Sequence, residues 1–212
     1  MTMKTIHASD FAGYAAATIY EAAGKRGDMS PAIRPVGDAC KLLGRAFTVR
    51  CWPSDGLAFM RAVEMAEPGD VLVIDGGGTD RSTVWGGSAT IRAKHRGLAG
   101  VVTNGSVRDV ATIRELGFPV WAAGICVRGG VANHPGWHGT VISVGDVPVA
   151  PGDIITADLD GVVVIAAGSA AEILEKTRAQ HEKEQGADER LRNGGSYEDV
   201  LRWYQSISKP AG

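Results

Sequence analysis

Arg108 and Asp109, adjacent in the chain, and the glycine-rich run Trp85-Gly86-Gly87-Ser88 upstream of them carry the residue types from which a small-anion site is built. A guanidinium grips a carboxylate through two parallel hydrogen bonds, and an aspartate is a hard oxygen ligand for a divalent cation. Gly86 and Gly87 have no Cβ, so an anion can approach the backbone closely. The first amides of a helix opening there have no partner within the helix, and the helix dipole adds positive potential. Ser88 can cap that helix, and Ala89 starts its regular part. Each signal alone is common. A glycine before a helix is most often a tight turn, and an Arg-Asp pair is equally a surface arginine beside a first-turn aspartate.

The elements around these residues bring them together. Val71-Leu-Val-Ile-Asp75 is an apolar, β-branched run ending in glycines and reads as a buried strand. Ala89 to Arg96 is helix-like, Gly100 to Thr103 is a second short strand, and Asn104-Gly105-Ser106 reads as a turn delivering Arg108 and Asp109 to the next helix. In a right-handed β-α-β unit both groups lie at the carboxyl-terminal edge of the sheet, where open α/β folds bind ligands. The Asp75-to-Gly78 glycines are not a dinucleotide fingerprint, because GxGxxG is absent, and no Walker motif is present.

Elsewhere, Ser9-Asp10 predicts the start of a helix over 11–23, and 28–45 reads as loop. Ala46 to Cys51 is a strand, Asp55 to Ala66 a helix, and Phe118 to Ala123 a strand after a helix ending near Leu116. Residues 124–140 read as a long ordered loop. Short strands follow at 140–144, 153–156 and 161–166, the last introduced by the turn Asp158-Leu-Asp160-Gly161. A charged helix is expected from Ala170 to about Asn193. Ser196-x-x-Asp199 resembles a capping box opening a last helix with Val200, Leu201, Tyr204 and Ile207 on one side. No repeat or linker is visible, so residues 1–212 read as one domain, with the helices of about 170–208 expected at a subunit interface.

Composition narrows the function classes. The chain has 212 residues, 44% hydrophobic and 22% charged, with a net charge of −2. This balance favours neither nucleic acid nor an anionic membrane surface. Three scattered cysteines, Cys40, Cys51 and Cys126, show neither CxxC nor zinc spacing, and the odd count argues against a disulfide framework. No signal-like core or run of about 18 apolar residues occurs, so the expectation is a soluble cytoplasmic protein. His134 and His138 flank Pro135-Gly136, which opposes the helix that four-residue metal spacing needs; a role in the loop or a substrate contact fits better. His95 and His181 read as solvated. Cys126 has no paired base for nucleophilic work. Trp85 reads equally as pocket wall and as core.

Several segments together resemble the regulator-of-ribonuclease-activity-A-like family, which includes the 4-hydroxy-4-methyl-2-oxoglutarate / 4-carboxy-4-hydroxy-2-oxoadipate aldolases. They are Ala22-Ala-Gly-Lys-Arg-Gly27, Pro68 to Gly78, Gly97 to Val102, Gly105-Ser-Val-Arg-Asp109, Gly117 to Trp121, and Pro151-Gly-Asp-Ile-Ile155 with Asp158 to Val163. The resemblance implies an α/β fold of the swivelling β/β/α type in a homotrimer or homohexamer. It also implies a lyase that cleaves or decarboxylates a small 2-oxo or hydroxy acid with Mg2+ or Mn2+. The implied roles are backbone contacts from Gly86, Gly87, Ser88 and Ala89, a substrate grip by Arg108, and direct metal ligation by Asp109. Glu184 of a neighbouring subunit's carboxyl-terminal helix is the positional match for a further ligand. The family also contains non-catalytic regulators that bind a ribonuclease, and hydration or dehydration of a related acid is a third reading. Two positions depart from the aldolase pattern. Twenty residues separate position 87 from Arg108 as that pattern asks, but position 87 is glycine, and the closing acid is replaced by Thr112. Asp75, Asp80 and Glu21 are the candidate substitutes.

Overall fold

The structure, a computed structural model, describes residues 6–77 and 82–207. Its first helix, α1 (Ala16–Ala22), and a two-residue strand, β1 (Arg34–Pro35), precede a succession of β-α-β units. Strand β2 (Leu42–Arg50), helix α2 (Leu57–Met65), β3 (Asp70–Asp75), α3 (Gly87–His95), β4 (Gly100–Val107), α4 (Val110–Leu116) and β5 (Val120–Ile125) follow one another. Strands β2 to β5 run parallel and lie side by side in chain order. Their three helices bury Phe59, Ala93 and Ile113 in one core on one face of the sheet. That is the arrangement short, same-handed crossovers produce.

The rest of the chain completes the sheet and covers its other face. β6 (Trp137–His138) pairs with the end of β2. The hairpin of β7 (Ile142–Val144) and β8 (Val147–Val149) forms a small second sheet. β9 (Ile154–Ala157) runs antiparallel to the start of β2, and β10 (Val162–Ile165) to β9. Along β3, Leu72 and Ile74 enter the helix-side core while Val71 and Val73 enter the core under the hairpin. Burial on both faces explains why this strand reads as an unbroken apolar run. The layering is the α/β, β/β/α arrangement expected. A third core joins α1 and the long helix α5 (Ala170–Arg192) to β9 and β10 through Ile19, Leu174, Ile154 and Ile165. Helix α6 (Tyr197–Ile207) returns along α5.

Several expectations needed correction. The helix expected over 11–23 splits into a 3-10 turn at Ala8–Phe11 and α1, with Gly13 at φ 95° between them. The 28–45 loop holds β1 and the first residues of β2, whose partner β9 lies more than a hundred residues away and leaves no local signal. Asn104-Gly105-Ser106 is no turn. It continues β4 through an irregularity in the pairing with β5 between Thr103 and Ser106. The 124–140 loop contains β6, and β8 was not anticipated. The turn at 158–161 is present, closed by the Asp158 amide donating to the Gly161 carbonyl at 3.0 Å. The capping box at 196–199 is also present, with Ser196 and Asp199 bonding reciprocally. Of the four residues placed on one side of α6, Val200 is buried, whereas Leu201 and Ile207 are exposed. Trp203 instead packs over Gly186 of α5, beneath the Arg190 guanidinium. His181 is half-buried, edge-on to Tyr14. No helix among the described residues is long and apolar enough to cross a membrane.

Candidate active site

The carboxyl ends of β3 and β4 and the starts of α3 and α4 meet at one edge of the sheet and open onto a cleft of about 340 Å³. That is at the low end of the range for small-molecule sites, about 300–1,000 Å³. Gly86, Gly87, Ser88, Ala89, Arg108 and Asp109 all line it, so the structure brings together the whole group read from the sequence except Glu184.

Asp109 stands between β4 and α4 with a left-handed backbone, φ 56° and ψ 41°. Aspartate tolerates this conformation better than most residues. The kink turns its carboxylate back toward α3, where Oδ2 accepts the Gly87 amide at 2.9 Å. The same oxygen lies 3.6 Å from Arg108 Nε. The Arg108 amide donates to the Trp85 carbonyl at 3.1 Å, fastening the two segments together. Close approach explains the two glycines. A Cβ at Gly86 would sit 2.9 Å from Asp109 Oδ2, and one at Gly87 would press on Asp109 Cβ and Thr112 Cγ2 at 3.2 and 3.3 Å. The first helical amide is thus taken by Asp109, and the Thr90 amide bonds to the Gly86 carbonyl. The amides of Ser88 and Ala89 have no partner among the described residues, and both residues line the cleft.

The floor and far end differ in character. Phe59, Val63 and Trp85 are buried beneath the cleft, with Met60 and Val131 at its rim. Trp85 proves to be both core and wall: it is 1% exposed, and its indole N–H donates to Thr90 at 2.9 Å. At the far end Arg92 is held by Glu64 through two bonds of 2.7 Å. The Arg92 guanidinium hydrogen-bonds Glu64 and holds its carboxyl below the ordinary carboxylate range.

The segment of residues 126–136 forms the opposite wall, and its anchor was not foreseen. Asp55, 2% exposed, accepts the amides of Leu57, Asn133 and His134 at 2.8–2.9 Å. Burial alone would raise its carboxyl, but these backbone bonds and the neighbouring His134 outweigh that and hold it below the usual value. The wall comes close enough that a Cβ at Gly129 would strike the Arg108 guanidinium at 2.5 Å. The only sequence signal was an aspartate two residues before a helix, which reads as an ordinary cap. His134 and His138 serve the wall. His134 accepts the Gly136 amide and stacks on Trp52, and His138 Nε2 lies 2.9 Å from the Ala58 carbonyl. Cys126 Sγ accepts the Arg128 amide and has no base beside it.

The donor set for a divalent cation is thin. Such cations take several oxygen ligands. Here, among the described residues, Asp109 is the one carboxylate at the glycine end, and a side chain at position 87 would press on Asp109 and Thr112. Asp75 is engaged by Gly77, Asn104 and Arg50 away from the cleft, Glu21 pairs with Lys25 on α1, and Asp80 lies outside the described residues. No group of three or more His, Cys, Asp or Glu among the described residues could hold a metal. Glu184 lies on α5, where its oxygens accept Thr18 at 2.6 Å and Gln180 at 2.8 Å within its own chain. The described residues of one chain therefore do not by themselves fit the Mg2+ or Mn2+ centre that the resemblance implied.

Comparison with known proteins agrees with the fold and with the resemblance. A protein of Halalkalibacterium halodurans named "Putative 4-hydroxy-4-methyl-2-oxoglutarate aldolase" is 33% identical over 174 residues, covering 82% of this chain and 80% of the relative. One of the same name from Burkholderia multivorans is 37% identical, covering 68% of this chain and 88% of its own. Among solved structures, the RNA-processing inhibitor RraA of Thermus thermophilis superposes with a TM-score of 0.66 at 26% identity, covering 78% of this chain and 93% of that one. An uncharacterised Pseudomonas syringae protein superposes at 0.79 with 23% identity, covering 92% and 96%, and so shares the fold. With the aldolase/RraA family model matching residues 16–164, the chain belongs to the RraA-like family.

Proposed function

We propose that this protein is a carbon–carbon lyase acting on a small 2-oxo or hydroxy acid, by retro-aldol cleavage or decarboxylation. The observation that carries this reading is the convergence at one end of a cleft of Arg108, Asp109 and the amides of Ser88 and Ala89, which have no partner among the described residues. Arg108 is the two-pronged hold on the substrate carboxylate. The Ser88 and Ala89 amides, at the positive end of α3, face the keto oxygen. In a retro-aldol step the carboxylate of Asp109 takes the proton of the substrate hydroxyl and the carbon–carbon bond breaks. The electron pair moves onto the 2-oxo group as an enolate, and protonation at carbon completes the product. Fixed donors aimed at that oxygen stabilise the charge where it develops. The names of the relatives support the same reaction class.

A second reading, a non-catalytic regulator, is favoured by the single carboxylate among the described residues at the glycine end of the cleft and by the name of the Thermus relative. In either case we infer a homotrimer or homohexamer, with the helices of about 170–208 at the interface and no nucleic-acid partner. Tyr197, Leu201 and Ile207 leave apolar surface on α6 for that purpose. A site shared through a neighbour's Glu184 would need that carboxylate to leave Thr18.

The test is NMR detection of product from a panel of 2-oxo and 4-hydroxy-2-oxo acids, wild type against Arg108→Lys. Lysine keeps the charge and loses the fork, so kcat/KM should fall by about tenfold or more without loss of fold. Turnover unchanged in that variant would remove Arg108 from the reaction. No turnover of any acid by the wild type would leave the regulator reading in possession.

A further inference from the structure

We infer that the acid accepted by this cleft carries one carboxylate and an apolar tail, and that Glu64 excludes a second carboxylate by holding Arg92. The inference rests on the lyase reading above and narrows its substrate class.

The charges of the cleft are the starting point. Among the described residues four ionised side chains line it: Arg108 and Asp109 at the glycine end, and Glu64 and Arg92 at the other. They sum to zero. Arg108 lies 3.6 Å from Asp109 but keeps its guanidinium fork toward the cleft and the Gly129 wall. Arg92 is not comparable. Its Nε and Nη2 each donate to a separate oxygen of Glu64 at 2.7 Å, the fork-to-fork geometry a substrate carboxylate would need for itself. Arg96 reinforces the arrangement from the same side by donating to the Glu64 and Ala66 carbonyls. A dicarboxylate would therefore bring its distal charge against the Glu64 carboxylate, which already occupies the Arg92 fork. Like-charge juxtaposition of this kind discriminates strongly between partners.

Between the two ends the wall is apolar. Phe59, Val63 and Trp85 form the floor, and Met60 and Val131 stand exposed at the rim. These side chains offer a second carboxylate no hydrogen-bond donor, while every methylene laid on them leaves water. One anion hold, an apolar middle and a far cation already paired with Glu64 describe a 2-oxo monocarboxylate with a short aliphatic or aromatic tail. The dicarboxylate in the relatives' name belongs to a different class.

Two isosteric probes decide it: 2-oxopentanoate and 2-oxoglutarate share a chain length and differ by a terminal methyl against a carboxylate. Calorimetric titration of the full-length protein should show 2-oxopentanoate binding at least about tenfold more tightly. Across pyruvate, 2-oxobutanoate and 2-oxopentanoate, each methylene should tighten binding by about fourfold. Glu64→Gln keeps the shape, frees Arg92 and should shift the ratio of the two probes toward 2-oxoglutarate by about tenfold. A wild type that binds 2-oxoglutarate as well as 2-oxopentanoate would overturn this inference and leave the lyase reading standing. A ratio unchanged in Glu64→Gln would overturn the role of Glu64. Failure of every acid to bind would overturn the lyase reading, and this inference with it.

Discussion

Substitution of Asp109 separates the work of its backbone from that of its carboxylate. The residue sits at φ 56°, a left-handed conformation that costs most L residues about 1–2 kcal/mol. Its carboxylate accepts the Gly87 amide at 2.9 Å; a bond to a charged acceptor is worth about 1.5–3 kcal/mol. The side chain is 46% exposed, and solvent screening lowers that figure to about 1 kcal/mol. Asp109→Ala loses both contributions, about 2–3 kcal/mol. Asp109→Gly loses only the bond, but its freer unfolded chain costs about 0.4–1 kcal/mol, so it should recover about 0.5–1 kcal/mol relative to alanine. Asp109→Asn keeps a tolerant backbone and an acceptor oxygen, and should stay within about 0.5 kcal/mol of wild type. At this chain length 1 kcal/mol moves Tm by about 2–4 °C, so alanine should melt about 4–12 °C low, glycine a few degrees above it, and asparagine near wild type. Urea titrations followed by circular dichroism, with turnover measured on the same samples, provide the assay. All three variants lack the carboxylate and should lose turnover alike. Glycine less stable than alanine would refute the backbone argument, and full turnover in Asp109→Asn would refute the catalytic one.

Three further outcomes follow from other parts of the molecule. Asp55→Asn leaves at least one buried amide of the cleft wall without its acceptor and should cost about 1–3 kcal/mol, read by denaturation. Because the Asp55 carboxyl is held below the usual range, its contribution is complete above the unfolded-chain value of about 4 and is lost as pH falls through the lower folded value. The acid limb of stability should therefore flatten in Asp55→Asn, and an unchanged limb would contradict the assignment. Burial pushes the Cys51 thiol up to about 12, so at pH 8 a thiol reagent should modify exposed Cys40 quickly and Cys51 only on unfolding; rapid labelling of Cys51 in the native protein would show that β2 opens. Light scattering should report a trimer or hexamer, and truncation before Ala170 should lose assembly and turnover together. A monomer with full turnover would exclude a shared site.

What was legible in the sequence was whatever local pattern decides. The β3 run, the α3 and α4 starts, the turn at Asp158 and the Ser196 cap each depend on residues within a few positions, and the structure places all of them. The convergence of Gly86–Ala89 with Arg108 and Asp109 followed from strand order alone. What escaped depends on distant partners. The start of β2 is a strand because β9 returns to it. Asp55 matters because a wall some eighty residues later bonds to it. Glu64 matters because Arg92 on another helix meets it. Position 87 was read as a lost acid. The structure adds that Asp109 lies against that position and accepts its amide, a detail no spacing rule carries.

That last detail bears on how such a site can change over generations. Gly87 and Asp109 occupy one volume between them, so the two positions are coupled rather than independent. An acid reintroduced at 87 alone would meet the carboxylate it was meant to assist and take away the amide's partner. The backbone of 109, set for that contact, would be left in a costly conformation. Recovering a two-carboxylate site would require a change near Asp109 or Thr112 first, and each step on its own is unfavourable. The order of substitutions, more than their number, then decides which descendants of this chain are reachable. The glycine acts as a ratchet, favouring the present form of the site over one with an acid at 87.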